Sequence, residues 1–182
     1  MRIVAGIWRG RPLVAPEGTA TRPTSDRARQ ALFDMLMHAP WAGRAVVADA
    51  VVLDAFAGTG ALGLEALSRG AARAVFFENA APALAALQAN IARCGAAALC
   101  RVLRADATKP PFAEAAATLA FFDPPYASGL IAPAVTALRG RGWLAADSLL
   151  VVETPREADL PGLGEMLADR AIGAARITVW RA

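Results

Sequence analysis

Hydrophobic and polar positions along the chain alternate between two periods. Val51-Val52-Leu53 is a short β-branched run that ends in a carboxylate, Asp54; after a turn holding Gly58 and Gly60 comes an apolar stretch that stops near Gly70. This pattern predicts strand, loop and helix. Downstream, Ala74 to Phe77 reads as a second buried strand ending at Glu78, and residues 80–93 as a helix closed by Gly95. A third strand, about 99–103, leads to Asp106, and a fourth, 118–122, ends at Asp123. A helix over about 130–139 precedes a fifth strand, 148–153. Strands alternating with helices predict an α/β fold whose parallel sheet is covered on both faces. The tail differs, because residues 166–172 and 175–180 are extended stretches separated by Gly173, which predicts an antiparallel hairpin.

Upstream, residues 2–6 and 11–14 flank Ile7-Trp8-Arg9-Gly10, which predicts a small N-terminal β-hairpin carrying Trp8 and several arginines outward. Pro16 to Pro23 is turn-rich and leads into a helix with Thr24 or Ser25 as N-cap. Ala28, Ala31, Leu32, Met35 and Leu36 recur at helical spacing there, and the helix ends near His38 and Pro40. No repeat or low-complexity linker interrupts the chain. One domain is expected over 1–182, with 1–23 as a basic hairpin extension and 24–182 as the core.

Composition narrows the class. A chain of 182 residues fits one domain that buries roughly 70% of its unfolded surface. The hydrophobic fraction of 56% owes much to alanine, and no apolar run reaches the about 18 residues that a membrane span needs. No signal-peptide core opens the sequence. Cys94 and Cys100 lack a Cys/His partner set, so free thiols, no metal site and a cytoplasmic location are expected. Net charge is +3, and its distribution matters more than its size. Arg2, Arg9, Arg11, Arg22, Arg27 and Arg29 crowd the first thirty residues against Glu17 and Asp26. That end is either a solvated surface or a nucleic-acid footprint. Trp8 beside Arg9 and Arg11 can stack on unpaired bases while the guanidinium groups hold phosphates, or it can anchor the hairpin to the core. His38 has no second histidine and reads as an incidental surface group.

Gly58, Gly60 and Gly63 satisfy the dinucleotide pattern G-x-G-x-x-G, yet an acid four residues before the first glycine would repel a diphosphate. Asp54 suits instead the cationic sulfonium and amino group of S-adenosylmethionine. Asp54, Glu78 and Asp106 each close a strand of the predicted sheet, and such ends form the ligand crevice of open α/β folds. Glu78 could accept from both ribose hydroxyls and Asp106 from the adenine amine, with Asp54 at the methionine end; each alone is equally a helix cap or loop charge. Asp123-Pro124-Pro125-Tyr126 then supplies the chemistry. Two prolines hold the preceding backbone extended, so the Asp123 carboxylate and the Pro124 carbonyl can grip the hydrogens of an exocyclic amine and aim its lone pair at a methyl group. Tyr126 would stack on a target base swung out of its helix.

The spacing D-x-x-x-G-x-G resembles the first motif of class I S-adenosylmethionine-dependent methyltransferases. Taken with Asp123-Pro124-Pro125-Tyr126, the hairpin Gly6-Ile7-Trp8-Arg9-Gly10-Arg11 and the segment Arg22-Pro23-Thr24-Ser25-Asp26-Arg27, the chain is similar to the bacterial RsmD family, the 16S ribosomal RNA (guanine-N2)-methyltransferases. The resemblance implies a Rossmann-like, seven-stranded, mostly parallel sheet, S-adenosylmethionine as donor and a guanine N2 amine of 16S rRNA as target. It implies Asp123, Pro124 and Tyr126 as catalytic residues and Asp54, Gly58, Gly60, Glu78 and Asp106 as cofactor ligands. Arg2, Trp8, Arg9, Arg11, Arg22 and Arg27 are the expected RNA contacts. The small-subunit particle or an assembly intermediate is the implied partner, with no membrane and a monomeric enzyme. Adenine-N6 or protein-glutamine methylation, a NAD-dependent dehydrogenase and a non-catalytic RNA-binding protein are the alternatives.

Overall fold

A computed structural model describes residues 1–16, 25–125, 129–159, 162–173 and 175–182. The elements, in chain order, are α1 (Asp26–His38), β1 (Val51–Asp54), α2 (Ala61–Ser68), β2 (Arg73–Phe77), α3 (Ala81–Cys94), β3 (Cys100–Leu103), β4 (Ala117–Phe122), α4 (Ile131–Gly140), β5 (Leu144–Pro155), β6 (Glu165–Ile172) and β7 (Ala175–Arg181). They form one seven-stranded sheet in the order β3-β2-β1-β4-β5-β7-β6. The first five strands are parallel, and β7 runs antiparallel between β5 and β6. From β1 the chain steps outward to β3 and then returns to β4 on the other side, which makes the β1/β4 boundary the topological switch point.

The sheet divides two cores. On one face Leu32, Phe33 and Leu36 of α1, Leu64 and Leu67 of α2 and Leu87 and Ile91 of α3 pack on Phe76, Phe121 and Val151. On the other, Ile131, Val135 and Leu138 of α4 pack with Leu53, Phe77, Phe122 and Leu150. No helix joins β3 to β4. The connecting loop is held to the sheet by Trp143, whose indole N–H donates to the Pro111 carbonyl at 2.7 Å and whose ring meets Phe77 edge-on at 4.9 Å.

Local signals account for most boundaries. Ser25 caps α1 by accepting from the Ala28 amide at 3.1 Å, and Gly95 ends α3 at a φ of 65°, a conformation that favours glycine. Two expectations need correction. β5 starts at Leu144 rather than 148: Ala117 pairs with Leu144, then the register shifts so that Leu119 pairs with Leu149. The exposed Ala146 and Asp147 hide that first part of the strand from a hydrophobicity reading. The N-terminal hairpin is reduced to a single antiparallel bridge, Arg2 to Pro12, closed by Ile3 N–H to Arg11 O at 2.9 Å and Gly10 N–H to Ile3 O at 2.8 Å. Longer pairing is lost because the first arm gives its donors to α2. Val4 and Ala5 amides bond the Glu65 carboxylate at 2.7 and 3.0 Å, and the Ile7 amide bonds the Ser68 carbonyl at 2.8 Å. Among the described residues, no helix is long and apolar enough to cross a membrane.

Candidate cofactor and acceptor site

β1 delivers Asp54 to the carboxyl edge of the sheet and buries it to 2% exposure. Helix α2 begins after Gly60, which has no side chain to cap it. Asp54 performs that task from the preceding strand: its Oδ2 accepts from the Gly63 amide at 3.0 Å. Burial pushes the Asp54 carboxyl up to about 7; the Gly63 N–H works against the shift and the Glu78 charge adds to it. The carboxylate therefore sits where a nearby cation would restore its charge.

The three glycines have different reasons to be there. At Gly60 φ is +77° and an added Cβ would lie 2.3 Å from Leu87 Cδ1; at Gly63 it would lie 2.3 Å from Phe76 Cε1. Both are demanded by packing. Gly58 has φ +53°, but a Cβ there would meet nothing within 4 Å. Its backbone borders open space, as a cradle for a ligand requires. Glu78, directly after β2, spans this loop. Its Oε2 accepts from the Gly58 amide at 2.8 Å, while Oε1 accepts from Asn79 and Ala80 at 2.8 and 2.7 Å. A carboxylate has about four acceptor positions. Three are in use here, and Oε2 keeps an acceptor position beside the glycine loop.

Asp106 follows β3 and folds back on its own loop, accepting from the Thr108 amide at 2.8 Å and hydroxyl at 2.7 Å. Those bonds hold its carboxyl below the usual range. It lines a cleft of about 670 Å³ together with Arg104, Lys109, Phe112 and Arg141. Asp123 and Pro124 follow β4 directly and are half-buried. Because Asp54 stands beside Phe121 in the β1–β4 register, Asp123 lies just beyond the switch point, next to the glycine loop. Tyr126 and Arg22 fall outside the described residues.

The basic N-terminus is apart from this crevice. The hairpin runs back along α2, so Trp8, Arg9 and Gly10 lie at the Ser68 end, opposite Gly60; the Trp8 amide bonds Ser68 Oγ at 3.0 Å. Trp8 is half-buried and packs on the core, so its ring anchors the hairpin while part of it stays exposed. Arg11 is exposed, but its guanidinium bonds the Arg93 carbonyl at the end of α3. Arg2 is exposed and paired with Asp26 at 3.5 Å; Arg9 and Arg27 are exposed. Arg29, counted with the basic end on sequence, is fully buried between Asp26 at 2.8 Å and Glu65 at 3.5 Å.

Asn90 was not legible as a site residue. Fully buried on α3, it accepts from the Val14 amide at 2.8 Å and donates to the carbonyls of Val14 and Thr59, each at 2.9 Å. It thereby ties the glycine loop to the N-terminal segment.

Known proteins share the sequence and the fold. The family model described as Conserved hypothetical protein 95 matches residues 1–181. Ribosomal RNA small subunit methyltransferase D of Escherichia coli is 42% identical over 164 residues, 88% of this chain and 78% of that protein. The solved structure of the Escherichia coli protein yhhF is 35% identical and superposes with a TM-score of 0.82, covering 100% of this chain and 97% of that one. A 16S rRNA N2 methyltransferase of Thermus thermophilus, solved with AdoMet and guanosine, shares the fold at 21% identity, with a TM-score of 0.68 over 91% of this chain and 44% of its own. A dehydrogenase reading of the three glycines fails, because the buried Asp54 at the head of α2 disfavours a pyrophosphate. The sheet is that of the class I S-adenosylmethionine-dependent methyltransferases, and the chain belongs to the family of ribosomal RNA small subunit methyltransferase D.

Proposed function

We propose that this chain methylates the exocyclic N2 amine of a guanine in 16S ribosomal RNA, with S-adenosylmethionine as donor. One observation carries the reading: an amine-acceptor turn, Asp123-Pro124-Pro125, stands at the switch point beside a glycine loop with a buried acid, in a chain 42% identical to rRNA methyltransferase D. The site suits the donor. Open space beside Gly58 accepts a ligand without side-chain clash, Glu78 Oε2 has room for a ribose hydroxyl, and Asp106 offers an acceptor at the β3 end. Bound there, S-adenosylmethionine supplies a methyl group made electrophilic by its sulfonium.

The chain's own residues have three tasks. Asp54 complements positive charge near β1, and its buried position makes that complement stronger than it would be in water. The Asp123 carboxylate and the Pro124 carbonyl accept the two N2 hydrogens, which draws the nitrogen lone pair out of conjugation and fixes its direction. After the methyl has moved, the surplus N2 proton leaves along the hydrogen bond to Asp123. No side chain needs to become a covalent intermediate.

The partner in this reading is the small-subunit particle or an assembly intermediate in the cytoplasm, engaged by a monomeric single-domain enzyme. Arg2, Arg9 and Arg27 hold RNA phosphates, with Arg22 and Tyr126 as further contacts; Arg11, bonded to the Arg93 carbonyl, adds positive charge to the same surface. Labelled-methyl transfer to unmodified small subunits, free 16S rRNA and duplex DNA, followed by nucleoside analysis, tests it. N2-methylguanosine from subunits or rRNA is the expected product. Label only in N6-methyladenine overturns the target base, and no label anywhere overturns the enzymatic reading.

A further inference from the structure

β4 and β5 run parallel with Phe121 opposite Val151 and Phe122 opposite Val152. The next residue on each strand is acidic: Asp123 and Glu153. The pleat fixes the face they take. Leu119, Phe121, Leu149 and Val151 belong to the core under α1, α2 and α3, whereas Ala120, Phe122, Leu150 and Val152 belong to the opposite one. Residues two apart in a strand share a face, so Glu153 follows Val151 within β5, and Asp123 continues from the end of β4 one residue past Phe122. Ile177, the partner of Glu153 on β7, lies in that same core. Adjacent strands are about 5 Å apart, and both acids are half-buried. Two acids thus stand on neighbouring rungs at the carboxyl end of β4, next to the Asp123-Pro124-Pro125 turn.

Among the nucleobases, guanine alone carries donors side by side on its Watson–Crick edge, N1–H next to the two N2 hydrogens. Adenine offers a bare acceptor at N1, and cytosine one at N3. We propose that Glu153 accepts the N1–H of the target guanine while Asp123 and Pro124 hold its N2 amine, so that Glu153 is the residue that admits guanine and rejects a base with an unprotonated N1. The inference rests on the guanine-N2 reading above and adds the residue that enforces it. Its physical basis is that a site built around a substrate N–H rejects an analogue lacking it, because the protein's own acceptor then faces another acceptor.

The test uses small subunits reconstituted on rRNA that carries either guanine or 2-aminopurine at the methylated position. 2-Aminopurine keeps the N2 amine but has a bare N1. Its missing O6 is common to every enzyme compared, so a change in the ratio of the two kcat/KM values isolates N1. The full chain should prefer guanine by about 100-fold or more. Glu153→Ala should lose most of that preference by slowing on guanine only, with S-adenosylmethionine affinity within twofold of the parent. Glu153→Gln, whose amide can donate to a bare N1, should gain about tenfold on 2-aminopurine, a result that misfolding cannot produce. Retention of the parent ratio by both variants overturns the assignment of Glu153 while leaving guanine-N2 methylation standing. If the parent enzyme makes no N2-methylguanosine, the functional reading fails and takes this inference with it.

Discussion

Gly58 and Gly60 share a left-handed backbone but face opposite surroundings, and this separates folding from binding at single-residue resolution. Gly60→Ala adds a methyl 2.3 Å from Leu87 Cδ1 at a φ of +77°; overpacking together with the unfavourable φ costs about 2–4 kcal/mol, which thermal melts will show as a clear loss of Tm. Gly58→Ala carries only the φ cost, about 1 kcal/mol, since its Cβ meets nothing. It should melt within a few degrees of the parent yet bind S-adenosylmethionine about tenfold or more weakly in equilibrium dialysis; parent-like affinity would remove Gly58 from the cofactor cradle. Asp54 makes a pH prediction. Its folded carboxyl titrates at about 7 against 3.8 for an unperturbed one, so between those values the native state binds more protons than the unfolded chain and stability falls as pH rises. A cationic ligand favours the charged form, so affinity for S-adenosylmethionine should rise as pH passes through about 7. Asp54→Asn should flatten both trends, and unchanged slopes in melts and binding from pH 5 to 8 would contradict the assignment. These acids and glycines were legible because each closes a strand or breaks a turn. Asn90 was not, since its partners Val14 and Thr59 lie 76 and 31 residues away and a single asparagine in an apolar helix has no local signature.

The elements themselves follow from periodicity where one rule acts alone. α1, α3 and α4 have the bounds their caps and apolar spacing indicate to within about a residue, and the β6–β7 hairpin turns at Gly173. Periodicity fails where a buried side chain redirects backbone donors. Glu65 is apolar-flanked in sequence, yet at 0% exposure it takes the amides of Val4 and Ala5 and the Arg69 Nε at 2.8 Å, with Arg29 at 3.5 Å. That network converts an expected two-stranded hairpin into a strap laid along α2. Removing Glu65 would strip Arg69 of its acid and take one of the two acids that flank the buried Arg29. Glu65→Ala is therefore expected to cost about 3–5 kcal/mol and to release the N-terminal segment, so that limited proteolysis cuts within residues 1–16 at protease concentrations that leave the parent intact. A variant that melts like the parent and keeps its protected N-terminus would show that the strap is held by its apolar residues, Ile3 and Leu13.

Across the whole molecule, the sheet order brings Asp54, Glu78 and Asp123 to one edge, while the strap carries Arg9 toward the other. α2 has eight residues, which at 1.5 Å per residue puts the hairpin tip about 12 Å from the glycine loop. The Arg9 backbone therefore stands about two helical turns from the glycine loop. If Arg9 contributes to the substrate, it does so through phosphates flanking the methylated base by at least two nucleotides, on RNA that wraps the outer surface of α2. Sequence reasoning saw the charge of this end but could not see that Arg29 is buried or that Arg11 is spent on the α3 terminus, so the usable cation density is lower than the count of arginines suggests. The consequence is a dependence on substrate size. Arg9→Ala should weaken binding to the small subunit severalfold at low ionic strength and reduce the salt slope by about one ion, without changing methyl transfer once the substrate saturates. On a short oligonucleotide holding only the target base and its nearest neighbours, the same substitution should have no effect, because such a substrate ends before it reaches the strap. Filter binding across a salt series with both substrates makes the distinction: an equal loss on long and short RNA would mean that the hairpin tip approaches the crevice in the complex, and no loss on either would make the strap purely a structural brace.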